Sequence, residues 1–430
     1  VAVVGAGYVG VAVAGSLAEL GHDVTCADVV ADKVDALQRG ELPIYEPGLE
    51  EQVRAGLGAG RLRFVLGPAS AVDDAEFAFL CVPTPQGVDG GADLSYVEEA
   101  AAEIGPRLAT DAIVVNKSTV PVGSTRVVEA ALGRDDVFVV SNPEFLREGS
   151  AVHDCRHPDR IVIGSEHQGA AVRVAALYER LNAPLVITDP ASAETIKYAS
   201  NAFLATKVSF VNAVANLCEA VGADVREVVL GMGYDRRIGF EFLRPGPGWG
   251  GSCFPKDTRA LVRIGEDAGY DFSLLRGVID VNEEQYERVV EKVLRMADGA
   301  VDGLTVAVWG LAFKARTDDT RASAALEVIG RLRRRGAHVR AYDPAVSSDH
   351  SDDLNDVGDP DGFVVCDDAY AACEGAAVLV VLTEWDEFRW IDLAKVFGLM
   401  SKPRIVDARN LLEPAAVRRR GFAYDCLGRP

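Results

Sequence analysis

Short runs of consecutive apolar residues alternate with amphipathic stretches along the first third of the chain. Continuous apolar runs of this length read as strands buried on both faces, as in parallel sheets. The pattern predicts a strand over 1–4, a helix ending near Gly21, and a second strand over 23–27 that ends at Asp28. Further strands are predicted over 77–80, 112–115 and 137–140, leading into polar loops over 81–85, 117–124 and 142–148. Ligands of open parallel sheets lie beyond the carboxyl ends of the strands, so these loops should converge on one site. At Asp189 the pattern turns helical: Asp189 can cap, Pro190 suits the first turn, and Gly222 is a stop. Such a helix would be roughly 48 Å long, enough to bridge domains or build a subunit interface. Helical sequence continues over 256–268 and 278–296, and a strand-first pattern resumes at 304–309. A helix over 322–335 and strands over 338–342, 378–382 and 404–406 complete it. The expected fold is α/β: two Rossmann-like doubly wound domains, 1–188 and 299–430, joined by a helical segment, 189–298. The acidic stretch 347–362 reads as an exposed loop.

Size and charge narrow the classes. With 430 residues the chain can hold two or three domains with their own cores. A net charge of −21 argues against nucleic acid and anionic membrane as partners. Anionic ligands must then be received by locally placed Lys, Arg and backbone amides. No apolar run reaches the roughly 18 residues of a membrane span. The apolar start imitates a signal peptide but lacks a basic leader, and the absence of an initial Met leads us to expect a trimmed start. The excess of Arg over Lys and the many Asp fit a GC-rich genome or a salt-adapted organism. Eight cysteines (Cys26, Cys81, Cys155, Cys218, Cys253, Cys366, Cys373 and Cys426) form no C-x-x-C pair. That suits free thiols in a reducing cytoplasm rather than a disulfide framework or a metal site.

Three constellations carry candidate chemistry. Gly5-Ala-Gly7-Tyr8-Val9-Gly10 follows a strand, opens a helix, and has Asp28 at the end of the next strand. In that context the glycines permit a tight turn, approach of a pyrophosphate, and packing of helix on strand. Asp28 would accept from ribose hydroxyls and repel a 2′-phosphate, favouring NAD over NADP. Gly250-Gly-Ser-Cys253-Phe-Pro-Lys256-Asp257 sets a thiol, an ammonium and a carboxylate behind a glycine-rich approach. A thiol can trap an aldehyde, a carboxylate can move its protons, and a neighbouring ammonium favours thiolate. Asn142-Pro143-Glu144 resembles a helix start, which would put Glu144 and Glu148 on one face. They could handle protons and water, or simply complement a helix dipole. Lys197 and Asn201 lie four residues apart on the long predicted helix. They could stabilise an oxyanion, or be a solvated stripe or a helix–helix contact.

Together these motifs resemble the UDP-glucose/GDP-mannose family of nucleotide-sugar 6-dehydrogenases, its UDP-glucose branch most closely. The resemblance runs over essentially the whole chain. Besides the segments above it includes Ser118-Thr-Val-Pro-Val-Gly123, His157-Pro-Asp-Arg-Ile-Val-Ile-Gly164, Phe242-Leu-Arg-Pro-Gly246, Gly310-Leu-Ala-Phe-Lys314 and Asp407-Ala-Arg-Asn410. It implies an N-terminal NAD domain, a central segment that forms a homodimer, and a C-terminal UDP-binding domain. It also implies oxidation of UDP-glucose to UDP-glucuronate by two NAD and water. By matching motif, Cys253 would be the nucleophile, and Asp257 with Thr119 and a water the first base. Lys197 and Asn201 would serve the oxyanion, and Glu144 would activate the hydrolytic water. Lys33, Thr84, Thr119, Glu148, Lys256 and Arg321 would fall at the cofactor. Phe145, Leu146, Phe242, Leu243, Arg244, Gly246, Gly250, Lys314 and Arg409 would meet the substrate, as would Glu144, Glu148, Lys197 and Asn201. Arg237 would come from the neighbouring subunit. Trp249 replaces another aromatic of many relatives, and the acidic 347–362 stretch is particular to this chain. GDP-mannose and UDP-N-acetylhexosamine remain alternative substrates, and a non-catalytic nucleotide-binding relative is a third reading that the intact residue set disfavours.

Overall fold

The computed structural model describes residues 1–87, 91–347 and 362–429, so the acidic stretch lies almost wholly outside the described residues. The chain divides into two compact units, 1–200 with 259–270, and 201–258 with 271 onward.

The first unit is built on an eight-stranded sheet. Its strands are β1 (Ala2–Val4), β2 (Val24–Asp28), β3 (Leu62–Leu66), β4 (Phe77–Leu80), β5 (Ile113–Asn116), β6 (Phe138–Ser141), β7 (Ile161–Gly164) and β8 (Leu185–Thr188). Their order is β3-β2-β1-β4-β5-β6-β7-β8, so the order reverses between β1 and β4. Pairings are parallel except β6 with β7. The continuous apolar runs have the predicted cause. Val3, Phe79, Ile113, Val115 and Val140 pack into one core layer, while Val4, Leu80, Val114 and Val139 pack into another on the opposite face. The helix Tyr8–Glu19 follows β1 directly.

The second unit holds a six-stranded parallel sheet: β9 (Thr305–Trp309), β10 (His338–Tyr342), β11 (Phe363–Val365), β12 (Val378–Val381), β13 (Arg404–Asp407) and β14 (Ala423–Cys426). Its order, β11-β10-β9-β12-β13-β14, again reverses beside the first strand. Both units are therefore doubly wound, with ligand crevices expected at these reversal points.

A single helix, Pro190–Val221, spans the predicted stretch. Asp189 caps it by accepting from the Ser192 backbone N–H at 2.8 Å, and Gly222 ends it at φ +74°. The helix predicted from 256 begins earlier, as Phe254–Asp267, which puts Cys253 immediately before its first turn.

One local expectation fails. Residues 142–147 form no helix, and the helix that follows is Ala151–Arg156. Asn142 does not cap a helix. It is buried, and its side chain accepts from Lys117 Nζ (3.1 Å) and the Tyr178 hydroxyl (2.7 Å) and donates to the Val162 carbonyl (2.7 Å). The same polar side chain that favours helix starts here ties an irregular loop to β5 and β7, so Glu144 and Glu148 share no helix face.

Candidate functional site

The fingerprint loop of the first unit is shaped by sterics. Gly5 has φ +96°, and a Cβ there would lie 2.6 Å from the Cys81 carbonyl oxygen. A Cβ on Gly10 would lie 1.8 Å from the Gly5 carbonyl oxygen. Gly7, by contrast, faces open space just before the first turn of Tyr8–Glu19, where Tyr8 and Val9 are half-buried. This is a bare helix N-terminus suited to phosphates. At the end of β2, Asp28 accepts from the Ala6 and Val30 N–H groups (2.9 and 3.0 Å) and from Lys33 Nζ (3.0 Å). Burial alone would raise its carboxyl, but the Lys33 ammonium and these backbone donors outweigh burial and hold it below the usual range. An anionic Asp28 with remaining acceptor capacity suits ribose hydroxyls. Thr84 donates to the Thr119 carbonyl at 2.8 Å, so those two predicted residues are adjacent. The residues present fit a bound NAD.

Glu144 lies in the irregular loop after β6, buried with Lys197, whose ammonium is 2.7 Å from its Oε1. Its Oε2 accepts from the Leu146 N–H at 2.6 Å. Burial would raise this carboxyl, yet Lys197, the Leu146 N–H and the more distant Lys117 ammonium together lower it. Phe145, beside it, carries the Arg160 guanidinium 3.5 Å over its ring centroid. Glu148 is half-buried in the turn that follows. Glu46, which sequence reasoning missed, anchors this turn: it accepts from the Tyr8 hydroxyl and from the Gly149 and Ala151 N–H groups.

The second unit holds the thiol. Cys253, half-buried, immediately precedes Phe254–Asp267, at the positive end of that helix. Asp257, in the helix's first turn, is fully buried. Its oxygens accept from Asn201 Nδ2 and Lys256 Nζ, both at 2.6 Å. Lys256 thus pairs with the carboxylate beside it. The glycine-rich approach is close-packed rather than open at Gly250, where a Cβ would lie 2.0 Å from the Ala322 carbonyl oxygen. Asn212 and Gln285 hold both backbone polar groups of Gly246, while Ser209 takes the Trp249 indole N–H. Phe242 has φ +61° and Leu243 is buried.

A cleft of about 440 Å³ in this unit brings Leu243, Arg244 and Arg409 together with Arg389 and Arg226, two arginines sequence reasoning missed. Arg409 is fixed by the Leu382 carbonyl (2.7 Å) and Glu384 (3.1 Å). Lys314 Nζ lies 5.4 Å from the ring centroid of Phe313. Two predicted residues are turned toward their own neighbours at the surface: Arg237 pairs with Asp235, and Arg321 with Asp319. No signal beyond their charge distinguished Arg226 and Arg389 in the sequence.

A doubly wound unit with an open helix N-terminus and a strand-end Asp, joined in one chain to a thiol–carboxylate helix start, defines an NAD-linked dehydrogenase. Comparison with known proteins fixes the family. Residues 1–182 match the NAD binding domain of the UDP-glucose/GDP-mannose dehydrogenase family, 191–284 its central domain, and 307–414 its UDP binding domain. The chain belongs to this family, and NAD is its cofactor. It is 45% identical to the UDP-glucose 6-dehydrogenase TuaD of Bacillus subtilis, over 100% of this chain and 93% of that protein. It is 46% identical to a UDP-glucose 6-dehydrogenase of Pseudomonas aeruginosa, over 100% and 97%. The solved UDP-glucose dehydrogenase of Pyrobaculum islandicum superposes with TM-score 0.89 at 38% identity, covering 99% of this chain and 96% of that one. A UDP-D-ManNAc dehydrogenase from Pyrococcus horikoshii reaches 0.88 at 28%, covering 100% and 99%, so the fold alone does not choose the sugar.

Proposed function

We propose that this protein oxidises the C6 hydroxymethyl group of UDP-glucose to the carboxylate of UDP-glucuronate, through a thioester on Cys253. The observation that carries the reading is Cys253 at a helix N-terminus with the buried Asp257 one turn on, itself held by Asn201 and Lys256. NAD, when bound, would supply the hydride acceptor, twice per sugar. The fingerprint glycines, Asp28 and Lys33 would hold it, and Thr84, Lys256 and Arg321 are its further expected contacts. In the first oxidation Asp257, with Thr119 and a water, takes the hydroxyl proton as hydride leaves C6. The Cys253 thiolate then adds to the aldehyde, and Lys197 and Asn201, one helical turn apart, stabilise the oxyanion. Loss of a second hydride leaves the thioester. Glu144 takes a proton from water as it attacks the acyl carbon, and the C–S bond breaks to release thiolate and acid. A covalent intermediate keeps the sugar in place between the two hydride transfers.

The UDP-glucose assignment draws on the full-length relatives of that name, with the arginine-lined cleft as support for a diphosphate. We divide the chain into an NAD domain (1–188), a dimerisation and active-site segment (189–298) and a UDP-sugar domain (299–430). The homodimer reading rests on Phe203, Phe210 and Leu217, seven residues apart along one helix and 65%, 53% and 60% exposed. Arg237 would cross that interface. Eight free cysteines fit a reducing cytoplasm, and among the described residues no helix is long and apolar enough to cross a membrane. The decisive assay is NADH yield from a panel of nucleotide sugars. Two NADH per UDP-glucose are expected; one NADH, or a clear preference for GDP-mannose in kcat/KM, overturns the assignment.

A further inference from the structure

The buried charges around Glu144 do not balance. Lys117, at the carboxyl end of β5, is buried, and among the described residues its ammonium has one hydrogen-bond acceptor, the neutral amide oxygen of Asn142. That oxygen is shared with the Tyr178 hydroxyl, whose ring centroid lies 5.8 Å from Lys117 Nζ. The ammonium has three donors, so two remain. Lys117 lines a partly open pocket of about 80 Å³ with Asn142, Glu144, Cys155 and Tyr178, whose outer wall carries Arg147, His157 and Asp159, with room for several waters. Glu144 is the acidic group Lys117 senses most strongly after the neutral Cys81 thiol; Cys155 and Lys197 also face it. Glu144 is meanwhile bonded to Lys197, and Arg160 senses it too. Three cationic side chains thus surround one buried carboxylate.

Resting on the reading of Glu144 as hydrolytic base, we propose that Lys117 is a positioning residue that keeps Glu144 ionised when Lys197 turns to the oxyanion, acting across the pocket that both side chains line. The resting structure commits Lys197 to Glu144, yet the oxyanion needs the same ammonium. When Lys197 leaves, Arg160, stacked on the Phe145 ring, would be the one other cation left, and a buried carboxylate so poorly paired would take up a proton and cease to be a base. A second ammonium, fixed on β5 by Asn142 and Tyr178 rather than by Glu144, removes that conflict. Its separation from the carboxylate also leaves room for the water that Glu144 must activate. Burial pushes Lys117 itself below the usual lysine range, but the carboxylate opposite favours its charged form.

The test is the pH dependence of thioester hydrolysis, followed by intact mass after rapid quenching, for the full-length enzyme with NAD and UDP-glucose. In wild type the rate falls at acid pH as Glu144 is protonated. Lys117→Met should move that acid limb to higher pH by about one unit, the lower end of what a nearby opposite charge does. Lys117→Arg keeps the charge, has the cavity for its larger head, and should hold the limb near its wild-type position. The position of a limb does not depend on how much of a preparation is folded. An unshifted limb in Lys117→Met with uniformly lower rates would reduce Lys117 to a structural role and overturn the proposal. Glu144→Gln separates the two readings: it should hydrolyse slowly with no acid limb. If it retains the wild-type rate and limb, Glu144 is not the base and the proposal falls with that reading.

Discussion

Removing Lys197 should destabilise the first unit through the charge it leaves behind. Its ammonium and Glu144 are 2.7 Å apart, with side chains 4% and 7% exposed. At an effective dielectric constant of about 20 their attraction is roughly 6 kcal/mol, largely offset by the cost of burying both ions. Breaking such a pair from one side costs about 3–5 kcal/mol, because the partner stays buried without its direct ion-pair contact, and the more distant Lys117 offsets only part of that loss. In a unit of about 200 residues each kcal/mol lowers Tm by about 2–4 °C, so Lys197→Met should lower the first calorimetric transition by about 10 °C at pH 7. Lys197→Met with Glu144→Gln should recover most of this loss. Glu144 is held below its ordinary value of 4.5 in the folded wild type. It therefore contributes stability above that pH which is lost as pH falls through the folded value. In Lys197→Met the folded value rises, and protonation relieves the buried charge. The gap between the two proteins should narrow from pH 7 to pH 4. A double variant no more stable than Lys197→Met, or a gap that widens in acid, would refute the reasoning.

Cys253→Ala should abolish acid formation while leaving NAD affinity within about twofold, read by calorimetry; near-normal UDP-glucuronate yield would remove the covalent route. Asp28→Ser should shrink the preference for NAD over NADP at least about tenfold in kcat/KM, since a carboxylate anchored by Ala6 and Val30 no longer faces the 2′-phosphate. An unchanged ratio would mean that the strand end does not read the ribose. Phe210→Glu should convert the protein to monomers in sedimentation, and an intact dimer would move the interface off the long helix.

The elements that were legible in the sequence are those whose pattern has one physical cause. β1, β4 and β12 are buried on both faces and read as unbroken apolar runs. The long helix was delimited because Asp189 and Gly222 mark its ends. β8 and β11 were missed because they lie at sheet edges, where Leu185, Val186, Ile187 and Val364 are exposed and no core imposes a pattern. β3 was missed although it alternates, because it is short and its outward residues include Arg63. At the site, motifs supplied residue identities but not their pairing. Glu144 with Lys197 and Asn201 with Asp257 are 53 and 56 residues apart in the chain. The local rule gave the wrong structure for 142–148 because tertiary bonds to Asn142 outweighed its capping preference. Lys117 falls only within the predicted polar loop 117–124; its burial is a property of the fold and leaves no mark in the sequence.

The two doubly wound units show why a repeated motif need not repeat a function. The sequence Gly310-Leu-Ala-Phe after β9 echoes the first fingerprint, and Asp343 at the end of β10 takes the place of Asp28. In the first unit that carboxylate meets two backbone N–H groups and the Lys33 ammonium, which is 29% exposed and leaves the carboxylate open to a ligand. In the second unit it is nearly enclosed: Leu311 N–H (2.7 Å), Ala312 N–H (3.0 Å) and the Trp385 indole N–H (3.0 Å) all donate to one oxygen, and Ala345 N–H (2.9 Å) to the other. A Cβ on Gly310 would lie 2.3 Å from the Thr383 side chain, so its loop is packed down on β12. The carboxylate there organises the turn instead of meeting a ribose. The arginines of this unit gather elsewhere, around Arg244, Arg389 and Arg409. A duplicated nucleotide fold thus keeps its strand-end Asp for the backbone and turns its charge to a different face. That is the physical basis for one chain holding a dinucleotide in one unit and an anionic nucleotide sugar in the other.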